Sequence, residues 1–262
     1  MGYFSQKKKH QRENNFLTVS AILFGALAFL LILPDSLFVP ARLLDNYLFQ
    51  IYVLAVLVLV YALWLGRWAF AAFFMLCLLV IFTCLSSYAN IFGNTRVDDR
   101  RHMQLTYRPG EALEVSGRGL VLLRSGHLNL GDNVQAPFAT YEKDLQVYTL
   151  IGVDFDGLTT RQLKEVFDRL RIFIFQQDDP VIVYGNFGVP AWSPQFKNLL
   201  LATDLKVKNR LLLTDSNFHF NPLAVPQFYL LGFENVGINT LQTKSASGEF
   251  PQGAVNIELG FY

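Results

Sequence analysis

Residues 180–194 read Pro-Val-Ile-Val-Tyr-Gly-Asn-Phe-Gly-Val-Pro-Ala-Trp-Ser-Pro, a strand, a bend and the opening of a helix in one run. Val181–Tyr184 is a short apolar, β-branched segment of the kind that fills a buried strand. Gly185 suits a tight strand-to-loop bend. Ser193 followed by Pro194 is a serine N-cap with proline at the first helical position. The helix it opens has an apolar side of Phe196, Leu199 and Leu200, with Leu205 as a further candidate.

Upstream, Leu163, Val166, Phe167, Leu170 and Ile174 make the apolar stripe of an amphipathic helix, with Arg161, Lys164, Glu165, Asp168 and Arg169 on its wet face. Thr159 and Gln162 have capping-box spacing at its start. Gly119–Leu123, Leu145–Val153, Gln227–Leu231 and Ala254–Leu259 read as further strands. Strands alternating with helices predict a layered α/β domain over residues 91–262.

The first third is of another kind. Residues 1–15 form a basic tail, and residues 16–90 are almost wholly apolar and aromatic. Phe16–Leu33, Tyr47–Leu65 and Trp68–Ser87 are each close to the ~20 residues that cross a hydrocarbon core of ~30 Å. They predict three transmembrane helices, the first closed by Pro34. Gly66 and Arg67 alone separate the second from the third, which demands a tight antiparallel hairpin. No small-x-small cleavage site follows the first span, so it reads as a retained helix rather than a signal peptide.

Lys7, Lys8, Lys9, Arg12 and Arg67 fall on one side of this arrangement, and Arg42, Arg96, Arg100 and Arg101 on the other. The cluster before the first helix favours a cytoplasmic amino terminus and an extracytoplasmic domain. The spans contain no charged residue to line a path, which disfavours a channel. Cys77 and Cys84 lie seven apart on one helical face, roughly 10 Å from each other, too far for a disulfide. A net charge of +1 without a basic stripe gives no sign of a nucleic-acid partner.

The run 180–194 resembles the Gly-Asp-Phe-Asn … Trp-Ser-Pro signature of the endonuclease/exonuclease/phosphatase superfamily. Arg118–Ser125 resembles the family's strand before Ser-x-x-Pro, and Ser247–Pro251 sits where the family ends in Ser-Asp-His-x-Pro. Three amino-terminal helices before the domain resemble the membrane-anchored, VanJ-like branch. That resemblance implies an αββα sandwich, a bacterial plasma (inner) membrane, and phosphoester hydrolysis through a carboxylate-held Mg2+ or Mn2+, an Asp–His pair and an Asn.

Position by position the family set is altered. Its Asp is Asn186, its Asn is Gly188, and its terminal Asp–His pair is Gly248 and Glu249. The strand that delivers the family His ends in Val153-Asp154-Phe155, and too few residues precede Gly117 for the family's opening βαβ portion, so a truncated sandwich is expected. An amide at 186 cannot act as a base, and glycines at 188 and 248 offer no side chain. The sequence therefore predicts a degenerate, non-catalytic membrane-anchored scaffold or subunit of a cell-envelope complex, with no catalytic, cofactor or metal site. The alternative is a metal-dependent phosphatase or phosphodiesterase acting on an envelope, lipid-linked phosphate through Asp154 and Glu249.

Asp154-Phe-Asp156-Gly157 also reads as a plain turn before the Thr159 cap. His102, His127 and His219 show no ligand spacing. Protein partners are expected on the truncated sheet, or on the loop 217–228, which carries Pro222 and Pro226.

Overall fold

The structure, a computed structural model, describes residues 2–32, 46–86, 102–108, 114–131, 134–143, 145–213, 221–233, 236–242 and 255–261. The chain divides into two compact units, Met1–Ser87 and Tyr88–Tyr262.

The first unit holds α1 (Gly2–Ile32), α2 (Leu48–Trp64) and α3 (Trp68–Ser86). The expected basic tail is helical: α1 runs unbroken from Gly2 instead of starting at Phe16. Two helical stretches are long and apolar enough to cross a membrane, His10–Leu31 and Trp68–Ser86. The expected middle span is shorter, at 17 residues, so length and composition support two spans and not three.

Leu17, Phe24, Leu59, Phe74 and Ile81 are buried between the helices. A Cβ on Gly25 would stand 2.9 Å from Cζ of Phe73, so the glycine lets α1 and α3 approach closely. The outward faces are apolar as well: Ile22, Leu23, Leu57, Met75, Leu76 and Leu79 are all exposed. The helical unit is thus apolar both between its helices and on its outward faces. The α2–α3 hairpin is as tight as expected, with Arg67 N–H donating to the Ala62 carbonyl at 2.9 Å. Arg67 Nη2 lies 3.4 Å from His10 Nδ1, itself 3.3 Å from Glu13 Oε2, so this turn and the start of α1 share one end of the bundle.

The second unit is β1 (His102–Tyr107), β2 (Glu114–Ser116), β3 (Val121–Gly131), β4 (Val134–Lys143), β5 (Gln146–Asp154), α4 (Thr160–Phe175), β6 (Val181–Asn186), α5 (Pro194–Thr203), β7 (Lys206–Val207), β8 (Phe228–Gly232), β9 (Val236–Gln242) and β10 (Val255–Phe261). The strands make a six-stranded sheet in the order β3-β4-β5-β6-β8-β7 and a four-stranded sheet in the order β2-β1-β10-β9. Pairing is antiparallel except β5–β6, which are parallel across the α4 crossover.

Both helices begin as their sequences dictate. Thr159 Oγ1 accepts from Gln162 N–H, and Gln162 Oε1 accepts from Thr159 N–H at 3.0 Å, a complete capping box. Ser193 Oγ accepts from Phe196 N–H. The stripes of α4 and α5 are buried, and Phe167 and Phe196 join Phe155, Phe187 and Tyr229 in a cluster of ring contacts beside the six-stranded sheet. A second core lies between the sheets: Met103, Leu105 and Tyr107 of β1 with Ile257 and Leu259 of β10 meet Leu150, Ile182, Tyr184 and Leu230.

The sequence reading missed β1, β2, β4, β7 and β9 and caught only the start of β3, which changes the expected truncation. Residues 102–116 supply two strands of the second sheet, so the region before Gly117 is not empty of sandwich structure. Among the described residues no helix covers the outer side of that sheet, giving layers α/β/β in place of αββα. That side is not the bare apolar face a deletion would leave: Gln104, Glu114 and Ser116 are exposed on it. An antiparallel sheet with one polar side faces water without cost.

Candidate functional site

A cleft of about 200 Å³ opens where β1 and β5 end, lined by Thr106, Tyr107, Arg108, His127, Gln135, Pro137, Gly152, Val153, Asp154 and Tyr184. Five strands converge there because β5 and β6 run parallel and deliver their carboxyl ends to one rim, where α/β ligand sites form.

The floor depends on a glycine. Gly185 has φ +134, and a Cβ there would stand 2.0 Å from the Val153 carbonyl oxygen and 3.0 Å from Cε2 of Tyr107. It therefore sits inside β6 for close approach of neighbouring groups, not at the expected bend after the strand. Tyr107 fills the space, donating from its hydroxyl to the Val153 carbonyl at 3.1 Å and meeting Tyr184 edge-on with ring centroids 5.8 Å apart. Burial, and then the charge of Asp154, push the Tyr107 phenol well above its ordinary range, and burial does the same for Tyr184. Both stay protonated donors at any physiological pH.

Among the described residues Asp154 is the only carboxylate in the lining. Solvent reaches its side chain, yet the cleft walls strip part of its hydration, so its pKa is raised from 3.8; the Asp156 N–H, 3.4 Å from Oδ1, works against that rise and the Asp156 charge adds to it. The turn reading of residues 154–157 also holds, since Gly157 N–H donates to Asp156 Oδ1 at 3.0 Å. Arg108 lies 3.4 Å from Glu114 through Nη2. His127, exposed on β3 opposite Pro137 of β4, lines the cleft.

Asn186 and Gly188 are not in the lining. Asn186 follows Gly185 at the end of β6; its side-chain oxygen accepts from Gly188 N–H at 3.0 Å and its carbonyl accepts from Phe155 N–H at 2.8 Å. Gly188 has φ +67, and a Cβ there would be 2.5 Å from the Phe155 carbonyl oxygen. Glycine at 188 is thus required by the loop's own packing. Gly248, Glu249 and His219 lie outside the described residues, as does most of the first half of the loop 217–228. Its described part turns at Asn221, which accepts from Leu223 N–H and leaves Leu223 exposed.

Sequence reasoning singled out Asp154 but not Arg108, His127, Gln135 or the two tyrosines. The signal available was alternation: Met103, Leu105 and Tyr107 point into the core while Gln104 is exposed and Thr106 half-buried, a β pattern ending on Arg108. As an ensemble the cleft presents a guanidinium, an imidazole, an amide and two protonated phenols against one carboxylate, a setting for a small polar or anionic group.

No protein-family model and no curated protein matches the chain. Similar solved structures include an endonuclease/exonuclease/phosphatase from Bacteroides vulgatus, with 11% identity over 55% of this chain and 67% of that one and a TM-score of 0.43. The human Nocturnin catalytic domain with bound sulfate anion is similar at 11% identity over 62% of this chain and 73% of that one, TM-score 0.40. A functionally unknown conserved protein from Enterococcus faecalis V583 is similar at 11% identity over 61% of this chain and 77% of that one, TM-score 0.42. The chain is a mixed α/β protein by its own elements and sheets, and its similarity to these structures is at low identity.

Proposed function

We propose that this chain is a non-catalytic, membrane-anchored scaffold or subunit of a cell-envelope complex, built on a phosphodiesterase-like sandwich. The observation that carries the reading is that Asp154 is the single carboxylate lining the cleft among the described residues. A magnesium or manganese ion in a hydrolase needs several hard oxygen ligands held together. No group of three His, Cys, Asp or Glu among the described residues offers such a set, so the described donors do not fit the ion that the family resemblance implies. Of the altered family positions, Asn186 and Gly188 are spent on loop structure.

The anchor is supported by the length and apolar surfaces of α1 and α3. The basic cluster ahead of α1 favours a cytoplasmic amino terminus and an extracytoplasmic domain, in a bacterial plasma membrane and a VanJ-like branch of the superfamily. The polar outer side of the four-stranded sheet and the turn at Asn221 are the surfaces offered to protein partners.

The second reading, a metal-dependent phosphatase or phosphodiesterase acting on a lipid-linked envelope phosphate, is favoured by the meeting of Arg108, His127 and Asp154 in one cleft. Purified full-length protein with magnesium or manganese separates the two. With bis-(p-nitrophenyl) phosphate and an isoprenyl diphosphate as substrates, turnover is expected to equal the metal-only blank. Turnover abolished by Asp154→Ala or Glu249→Ala would overturn the non-catalytic reading. Extraction of the tagged chain in mild detergent is expected to bring partner proteins with it, and a lone monomer counts against the scaffold.

A further inference from the structure

The end of the six-stranded sheet remote from the cleft is unusually apolar. Leu145 sits at the tip of the two-residue connection between the paired Lys143 and Gln146; it is 91% exposed and has φ +65. Glycine or asparagine ordinarily occupies that left-handed position. A leucine there spends local strain to hold a bulky apolar side chain out in the open, and such outliers point to a use. Next to it, β3 begins with Val121, Leu122 and Leu123, all more than half exposed. Val121 and Leu122 pair with Glu142 and Tyr141, just before the same hairpin tip. Ile172 and Phe175 expose their side chains at the end of α4, which a hydrogen bond from Arg124 Nη2 to Gln177 Oε1 at 3.0 Å ties to β3.

We infer that this end of the domain docks on a lipid bilayer, with Leu145 and the start of β3 inserted into the headgroup–acyl boundary. Two features select lipid as the occupant. Successive residues of a strand point to opposite faces, so Val121 and Leu122 project from both sides of an edge ribbon. A fluid medium accommodates both, whereas a rigid partner laid on one face leaves the other bare. The second feature is the path of the chain. β1 runs toward the cleft and ends there at Tyr107 and Arg108, so the domain is joined at His102, away from the cleft. Residues 87–101 connect Ser86 of α3 to that point, a leash of at most about 55 Å even when fully extended. A leash of that length keeps a lipid surface at high effective concentration. The inference rests on the reading that the helical unit is embedded in a membrane.

The test uses the full chain with Cys77→Ala and Cys84→Ala and one introduced cysteine, Leu145→Cys, Val121→Cys or Lys164→Cys, the last at the opposite end of α4. Each is labelled with an environment-sensitive nitrobenzoxadiazole dye and reconstituted in phosphatidylcholine–phosphatidylglycerol vesicles. At 145 and 121 a blue-shifted emission and about twofold quenching by doxyl-labelled lipid are expected of a side chain some 5–10 Å into the interface, with water-like emission at 164. Water-like emission at both 145 and 121, in protein that floats with vesicles and resists alkaline carbonate, overturns the docking and leaves the anchor standing. Release of the protein by carbonate overturns the anchor, and the docking with it. A blue shift that lipid quenchers do not touch, and that disappears as protein per vesicle is lowered, assigns the patch to a second copy of the chain and also overturns the proposal.

Discussion

Single positions in the cleft and at the far end of the sheet carry tests of how the domain is built. Asp154 has a raised pKa in the folded chain, so the folded state holds its proton more tightly than the unfolded state does. Its contribution to stability is fully favourable below 3.8 and is lost as pH rises through the folded value. Asp154→Asn is therefore expected to raise the thermal midpoint at pH 7, and the gain should vanish as pH falls below 3.8. Gly188→Asn, which restores the family residue, meets the Phe155 carbonyl oxygen. It should cost about 1–3 kcal/mol by thermal denaturation and bring no phosphodiester turnover, alone or with Asn186→Asp. Leu145→Gly relieves a left-handed leucine and is expected to stabilise the chain in detergent by about 1 kcal/mol. A loss of stability there would mean that the side chain packs in solution.

At the level of elements, the segments with strong period were legible: both helices of the domain, with their caps, and β5, β6, β8 and β10 within a residue or two. Thr159→Ala removes the hydroxyl that accepts from Gln162 N–H, keeps the backbone N–H that donates to Gln162 Oε1, and should cost about 1 kcal/mol, read from the unfolding midpoint. The missed strands had physical reasons to hide. β4 contains Pro137 and small alanines, weak β formers. Its pairing with β5 starts only at Phe138, so Pro137 lies where β4 has β3 alone as neighbour and the absent N–H costs no ladder bond. β1 abuts a charged connector that masks its alternation, and β2 spans only three residues. The cleft was legible at Asp154 alone, because Tyr107, Arg108, His127 and Asp154 are brought together by sheet order, which local pattern does not encode.

Taken whole, the molecule joins an apolar helical unit to a sandwich of two sheets. If α1 and α3 lie in a bilayer, alkaline carbonate should leave the chain in the pellet, and deletion of residues 1–90 should move it to the supernatant. The four-stranded sheet has a consequence for when the protein can form. β1 is flanked by β2, of three residues, and by β10, with His102 against Gly260 and Tyr107 against Val255. The sheet thus waits for a strand made long after its partner, and pairings so distant in sequence close slowly. A nascent chain holding β1 to β9 would carry the unmated edge of β1 and half an inter-sheet core. Synthesis must pass Phe261 before the sandwich can shut, so a chain ending at residue 254 should be digested by trypsin as an open polypeptide while its helical unit survives. The timing of assembly is set by β10.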